Sequence, residues 1–180
     1  RRGLNIQIMI TIISGTNRSN SNSLKVAKLC NEILEEKGIA SQVYSLDSLS
    51  NDFLFSEMYQ DHSENFKNTI TKYIHLADKI IFVVPEYHGS YSGALKVFLD
   101  AISSDDIMDK KTMLVGVASG HAGGIRPLGH LTDVLHHLRA EVFSRKPKLS
   151  YIDQLIDSKG EFDQKTVKNL SGNIELFLNY

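Results

Sequence analysis

Three polar, glycine-containing stretches carry the residue types best suited to chemistry in this sequence. The first, SGTNRSNSNS (14–23), follows an apolar run and precedes residues at helical spacing. A helix start leaves backbone N–H groups without intrahelical partners and bears partial positive charge, so it suits a phosphate. Thr16, Ser21 and Ser23 add hydroxyl donors, Asn17, Asn20 and Asn22 amide donors, and Arg18 a fixed charge. The same residues also describe a solvated turn that ends in a Ser or Asn helix cap. No Gly-Lys-Ser/Thr follows and the spaced glycines of the dinucleotide fingerprint are missing, which argues against a nucleoside triphosphatase.

The second stretch is PEYHGSYSGALKVFLD (85–100). Pro85 ends an apolar run, and Glu86, Tyr87, His88, Gly89 and Ser90 make a tight, backbone-rich loop before a helix expected from about Ser92. Such a loop can lie along a flat ring, offering main-chain N–H groups to its polar edge while Tyr87 or Tyr91 forms an aromatic wall. A nucleophile elbow fails on register, because the centre of GSYSG is Tyr91. The third stretch, SGHAGG (119–124), holds Ser119, Gly120, His121, Gly123 and Gly124. Its glycines would let backbone approach a planar ligand, and His88 and His121 stand where they could hydrogen-bond a ring or a substrate.

The elements that must position these loops follow from periodicity. IMITIIS (8–14), DKIIFVVP (78–85) and KTMLVGVAS (111–119) are short, continuous, largely β-branched runs, as expected of parallel strands covered on both faces. SQVYSL (41–46) and AEVFS (140–144) are shorter and more polar, as flanking strands would be. Between them lie residues at three-to-four spacing, such as Leu24, Ala27, Cys30 and Ile33, or Leu128, Leu131, Leu135 and Leu138. A last set, Val167 to Leu178, closes the chain; Gly38 marks a helix stop and Ser63 and Ser92 mark helix starts. Five strands alternating with five helices predict a doubly wound α/β domain with a parallel sheet and helices on both faces. Ligands of such sheets gather beyond the carboxyl ends of the strands, where the three loops belong.

Composition narrows the partners. The 180 residues suit one domain, and 20 Lys and Arg against 21 Asp and Glu give a formal charge of −1 with no block of like charge. Nucleic acid and anionic membranes are therefore not expected partners. The single cysteine, Cys30, falls on an apolar helix face, which predicts a buried thiol and a cytoplasmic setting. No stretch approaches the roughly 20 apolar residues of a membrane span. His130 and His137 are seven apart, too far for the usual pair of metal ligands on one helix, so no metal is expected. His136 and His137 read as helix-surface or interface residues. NDFLFSEMYQ (51–60) is an apolar patch within a long connection, either packed under the next helix or used in subunit contact. Residues 1–8 read as a tag remnant or loose extension, and 9–180 as a single domain.

With the three loops in view, the chain from Met9 onward resembles the NAD(P)H-dependent FMN reductase family, a flavodoxin-like group of quinone, azo-dye and chromate reductases. GTNRSNSNS is similar to that family's FMN-phosphate loop, with matches at Thr16, Arg18 and Ser21, and with Asn22 and Ser23 nearby. PEYHGSYSGALKVFLD is similar to its PEYNxSxPGxLKNxxD signature: Pro85, Glu86, Tyr87, Ser90, Gly93, Leu95, Lys96 and Asp100 match, while His88 replaces Asn, Ser92 replaces Pro and Val97 replaces Asn. SGHAGG resembles the third flavin loop. The resemblance implies a flavodoxin-like sheet ordered 2-1-3-4-5, FMN as cofactor and NADPH or NADH as co-substrate. It further implies a quinone, flavin, azo compound or similar small-molecule acceptor, and a homodimer or homotetramer. Pro85 to Ser90 and Ser119 to Gly124 would lie along the flavin, and Arg18 would meet either the FMN phosphate or the 2′-phosphate of NADPH. No catalytic side chain is required, because the flavin carries the chemistry. The rival readings are a flavodoxin-type electron carrier and a flavin-less phosphate-ligand binding module.

Overall fold

Continuous β-branched runs have no polar face to offer water, so they can only be buried centrally, with helices packed above and below. The computed structural model, which describes residues 8–59 and 61–180, has this arrangement. The elements run β1 (Met9–Ser14), α1 (Asn22–Glu36), β2 (Ala40–Ser45), α2 (Phe53–Ser56), α3 (Glu64–Ile70), β3 (Lys79–Pro85), α4 (Gly93–Ala101), α5 (Ser104–Ile107), β4 (Lys111–Val117), α6 (Ile125–His137), β5 (Glu141–Val142), β6 (Lys148–Leu149) and α7 (Gln164–Leu178). The strands pair in parallel in the order β2-β1-β3-β4-β5, the flavodoxin-like order. β1 sits centrally, with Ile12 opposite Val43 on one side and Ile81 on the other.

Two cores result, one per face. Val26, Cys30 and Ile33 of α1 and Leu170, Ile174 and Phe177 of α7 cover Ile10, Ile12, Ile81 and Val83. Phe66, Leu95, Phe98, Leu131 and Leu135, from α3, α4 and α6, cover Ile13, Phe82 and Leu114 on the other. Each fully buried side chain of this size contributes about 1.5–3 kcal/mol, so the sheet is fixed before any loop is considered.

The expected helix starts are found in place. Ser21, Ser63 and Ser92 cap α1, α3 and α4 by accepting from Leu24, Phe66 and Leu95 N–H. α3 runs on through a π-turn, Thr71–His75, and Gly38 stands just past the end of α1.

The fifth strand departs from the expected continuous 140–144. It pairs as β5, opposite Lys111 and Thr112, breaks, and resumes as β6 opposite Gly116 and Val117. Between these pairs five residues, 143–147, stand opposite three, 113–115. Pro147 lies in the break, where its missing N–H could not serve a ladder, although its carbonyl still accepts from Gly116 N–H at 2.8 Å. Phe143 turns inward at the break and packs on Phe177, ring centroids 5.7 Å apart. Of the expected loose extension, residues 1–7 lie outside the described residues, and Ile8 packs against the core.

Cys30 has no exposed surface, and burial pushes its thiol up to about 12. At pH 8 it is therefore almost entirely protonated and unreactive. Treating the folded protein with a disulfide reagent at that pH should leave it unlabelled, and adding urea should release its single thiol; prompt labelling of the folded protein would refute the burial.

Candidate functional site

The loops after β1, β3 and β4 leave the same edge of the sheet and are tied to one another. Gly15 opens the first. Its N–H donates to Val83 of β3 at 2.9 Å, and a Cβ there would come within 2.8 Å of that same carbonyl, so only glycine allows the approach. Thr16 is buried; its hydroxyl receives Arg18 N–H at 3.2 Å and pairs with the Tyr87 hydroxyl at 2.8 Å. This hydroxyl, expected among the anion donors, is spent joining the first loop to the second. Ser21 caps α1, and beyond it the N–H groups of Asn22 and Ser23, the first two helical positions, have no partner among the described residues.

The second loop explains two departures from the resembled signature. Tyr87 and Ser90 exchange both backbone hydrogen bonds, at 2.8 and 3.1 Å, around His88 (φ 50°) and Gly89 (φ 77°). Two left-handed central residues make a type I′ turn, which favours Asn-Gly for its backbone geometry. Histidine is among the few other residues enriched in that conformation, so His88 preserves the turn. Ser92 has φ −65°, which proline would share, but its hydroxyl also accepts from Leu95 N–H at 3.0 Å and donates to Gly15 C=O at 2.6 Å. It links β1's loop to α4 in a way proline could not.

The third loop uses its glycines differently from the expectation that they admit a planar ligand. Gly123 has φ 58°, and a Cβ on it would meet Lys148 Cβ and Ser150 Oγ at 2.7 Å. Gly124, also left-handed, precedes α6 at its N-cap. The close approach here is between the loop and the chain after β6. Gly120 and His121 are exposed.

A cavity of about 90 Å³, room for a phosphate-sized group, lies where the loops meet. Arg18, Ser21, Asn22 and Ser23 line it from the first loop, Pro85, Glu86 and Tyr87 from the second, and Ser119 from the third. Thr16, His88, Gly89, Ser90, Gly120, His121, Gly123 and Gly124 do not line it.

Several contributors had not been assigned to the site from the sequence, where His130 was weighed only as a metal ligand. Arg126 lies 3.6 Å from Glu86, and His130, four residues later on α6, meets Ser90 Oγ through Nδ1 at 3.0 Å. The i,i+4 spacing of a cation and an imidazole just after a glycine loop was the available signal. Ile152 also lines the cavity, and Asp153 accepts from Asn22 Nδ2 at 2.9 Å and from Ser119 Oγ at 3.1 Å. Nothing local in the sequence marks these two, since they come from beyond β6.

A larger cleft, about 380 Å³, opens beside the end of β2 between Tyr44, Phe53, Glu57, Phe66 and Tyr73. It belongs to the 51–60 connection, which is partly the short helix α2. Phe53 packs edge-on against Phe66 at 4.9 Å, while Leu54, Phe55 and Tyr59 are 46%, 80% and 88% exposed.

The sequence model of the family described as NADPH-dependent FMN reductase matches residues 8–150. An NADPH azoreductase of Bacillus sp. (strain OY1-2) is 31% identical over 156 residues, covering 86% of this chain and 82% of its own. Among solved structures, an apo NADH:FMN oxidoreductase superposes with a TM-score of 0.77 at 22% identity, covering 94% of this chain and 88% of its own. A flavoenzyme NAD(P)H:(acceptor) oxidoreductase from Paracoccus denitrificans superposes with a TM-score of 0.72 at 20% identity over 96% of both chains. At these identities the two superpositions speak for the fold.

Ser92→Ala should remove a cap and leave a buried carbonyl unpaired, a loss of about 2 kcal/mol and roughly 4–8 °C in Tm. Ser92→Pro should lose the same two hydrogen bonds while keeping φ. In contrast, His88→Asn should keep Tm or raise it, and His88→Val should lower stability by about 1–2 kcal/mol, because a β-branched residue resists left-handed backbone, and Tm by roughly 2–8 °C. Thermal melts of the four variants check this; equal melting of His88→Val and His88→Asn would contradict the turn assignment.

Proposed function

This chain belongs to the NADPH-dependent FMN reductase family and is an FMN-dependent NAD(P)H oxidoreductase; on that premise we propose that the cavity between its three loops receives the FMN phosphate. The observation that carries the proposal is the pair of N–H groups at Asn22 and Ser23 that have no partner among the described residues, with Arg18 at the same cavity. Helix-start N–H groups and one guanidinium at a cavity of this size fit a phosphate in sign and size. Ser21 and Ser23, both buried, would add hydroxyls.

When bound, FMN supplies the redox chemistry, taking a hydride from the nicotinamide and passing electrons on to an acceptor. The protein's part is to bind and orient. Pro85, Glu86 and Tyr87, with the 88–90 turn behind them, would flank the ring; Arg126 and His130 hold that loop from α6 through Glu86 and Ser90. Ser119, Gly120, His121, Gly123 and Gly124 would border the other side, with the two buried glycines seating the loop rather than touching the ligand. Residues 9–180 act in this reading as one FMN-binding domain. Donor and acceptor use the same slot in alternation, so no proton-transfer residue is assigned.

An azo compound is the acceptor we favour, since the Bacillus relative is an NADPH azoreductase; a quinone or a free flavin is the alternative. The exposed Leu54, Phe55 and Tyr59 are assigned to contact with a second copy of the chain, giving a homodimer or homotetramer. A cytoplasmic setting fits the lone buried thiol and a supply of reduced nicotinamide.

Titration with FMN, followed by NADPH consumption in the presence of an azo dye or a quinone, tests this reading. Steady turnover is expected, whereas FMN binding without turnover would indicate an electron carrier. Arg18→Ala should weaken FMN binding by about tenfold, the worth of one charge-assisted hydrogen bond. An unchanged FMN titration with a raised KM for NADPH would move Arg18 to the 2′-phosphate.

A further inference from the structure

Asp153 stands just past the stretch that matches the family, 8–150, yet it joins two of the site's three loops. Its Oδ1 accepts from Asn22 Nδ2 at 2.9 Å and its Oδ2 from Ser119 Oγ at 3.1 Å. Asn22 is the first residue of α1, Ser119 follows β4, and both line the cavity, as does Ile152 next to Asp153. The backbone is bent to bring it there. Tyr151 is left-handed, φ 51°, uncommon for a side chain of that size. Its N–H donates to Gly120 C=O at 3.3 Å, and Ile152 N–H donates to Ala118 C=O at 3.1 Å, so the chain after β6 is laced along the third loop. Ser150 Oγ adds a bond to His121 C=O at 2.7 Å.

A carboxylate close to an anion site repels the ligand, so its presence needs a compensating role. An ionised carboxylate can only accept hydrogen bonds. Ser119 must therefore turn its one hydroxyl hydrogen toward Asp153, and only lone pairs remain on Oγ for the cavity. Asn22 likewise commits one amide hydrogen to the carboxylate. The donors left for a dianion are the first-turn N–H groups, Arg18 and the remaining hydroxyls.

We propose that Asp153 is a positioning residue that locks Asn22 to Ser119 and makes the Ser119 side of the cavity hydrogen-bond accepting, so that Ser119 receives a hydroxyl or N–H of the flavin and not its phosphate. The assignment rests on the flavin reading above. It also divides the cavity into an anion-holding part at α1 and an accepting part at Ser119.

Binding of FMN and of riboflavin, which lacks the phosphate, to the apoprotein separates the possibilities without any turnover. Ser119→Ala should weaken both ligands by the same factor, about fivefold for one neutral hydrogen bond, leaving their affinity ratio unchanged. Asp153→Asn places an amide donor where Oδ2 was, frees the Ser119 hydrogen and removes a negative charge; it should raise the FMN-to-riboflavin affinity ratio by about fivefold. Adding Ser119→Ala to Asp153→Asn should cancel part of that rise. A merely structural Asp153 would change both ligands equally in Asp153→Asn, and that result overturns the proposal. So does a selective loss of FMN binding in Ser119→Ala, which would make Ser119 a phosphate donor. A wild-type protein that binds neither flavin overturns the flavin reading and this one with it; a wild type that binds FMN while the ratios fail overturns only the role of Asp153. Should Asp153→Asn fail to fold, Ser119→Ala alone still decides, because it removes one exposed hydroxyl.

Discussion

The site depends on how tightly the first residue of the β1 loop is held. Gly15 gives its N–H to Val83 and receives the Ser92 hydroxyl on its carbonyl, so both of its backbone groups are claimed by β3 and α4. The absence of a Cβ is what allows the approach to Val83. Once that residue is pinned, Thr16 can reach Tyr87, and the first loop starts from a fixed point on the second. A chain free to drift there would carry Arg18 and the start of α1 with it, and helix-terminal donors bind an anion well only when they need no reorganisation. The rigid part of the site is thus the two backbone groups of Gly15 and the three hydroxyls of Ser92, Thr16 and Tyr87, none of which needs to touch the ligand.

Much of the architecture could be read directly. The continuous runs at 8–14, 78–85 and 111–119 have one stable use, and Ser63 and Ser92 mark the helix starts by a local mechanism, a side chain capping its own helix. The broken fifth strand could not be read so easily: Pro147 is visible in the sequence, but the extra length opposite residues 113–115 depends on which strand it faces. The site divides along the same line. Arg18, residues 21–23 and residues 85–87 announce themselves because loop chemistry is local, and they line the cavity. Asp153 and Arg126 do not, since their meaning lies in partners 131 and 40 positions away, at Asn22 and Glu86. Gly123 shows a third case, in which the residue type was noticed and its reason was not, because small residues serve close packing of protein on protein as readily as protein on ligand.

The two departures at His88 and Ser92 show what a signature position can encode. At His88 the requirement is a left-handed backbone within a two-residue turn, and any residue that tolerates it keeps the loop. At Ser92 the backbone angle would suit proline equally, so the serine's contribution is chemical, a cap on one side and a tie to Gly15 on the other. A signature of this kind records backbone requirements as much as side-chain contacts, and its substitutions are best judged by φ and hydrogen-bond bookkeeping before any ligand is invoked.

The opposite edge of the sheet completes the logic. There, Lys79 donates to the carbonyls of Phe177 and Leu178, Lys110 to those of His75 and Ala77, and Lys111 to that of Tyr180. Cations placed on carbonyls at helix C-terminal ends satisfy groups that would otherwise lack partners and oppose the negative end of each dipole. Burial holds the Lys79 and Lys110 ammonium groups below their usual range, a cost the protein bears to keep that edge closed. The parallel sheet therefore treats its two ends differently. One end uses charged side chains to satisfy backbone carbonyls, and at the other the N–H groups of Asn22 and Ser23 at the start of α1 have no partner among the described residues. Because every strand in the ordered path runs the same way, this asymmetry is built into the topology, and the loops at the carboxyl edge only refine a preference that the strand direction has already set.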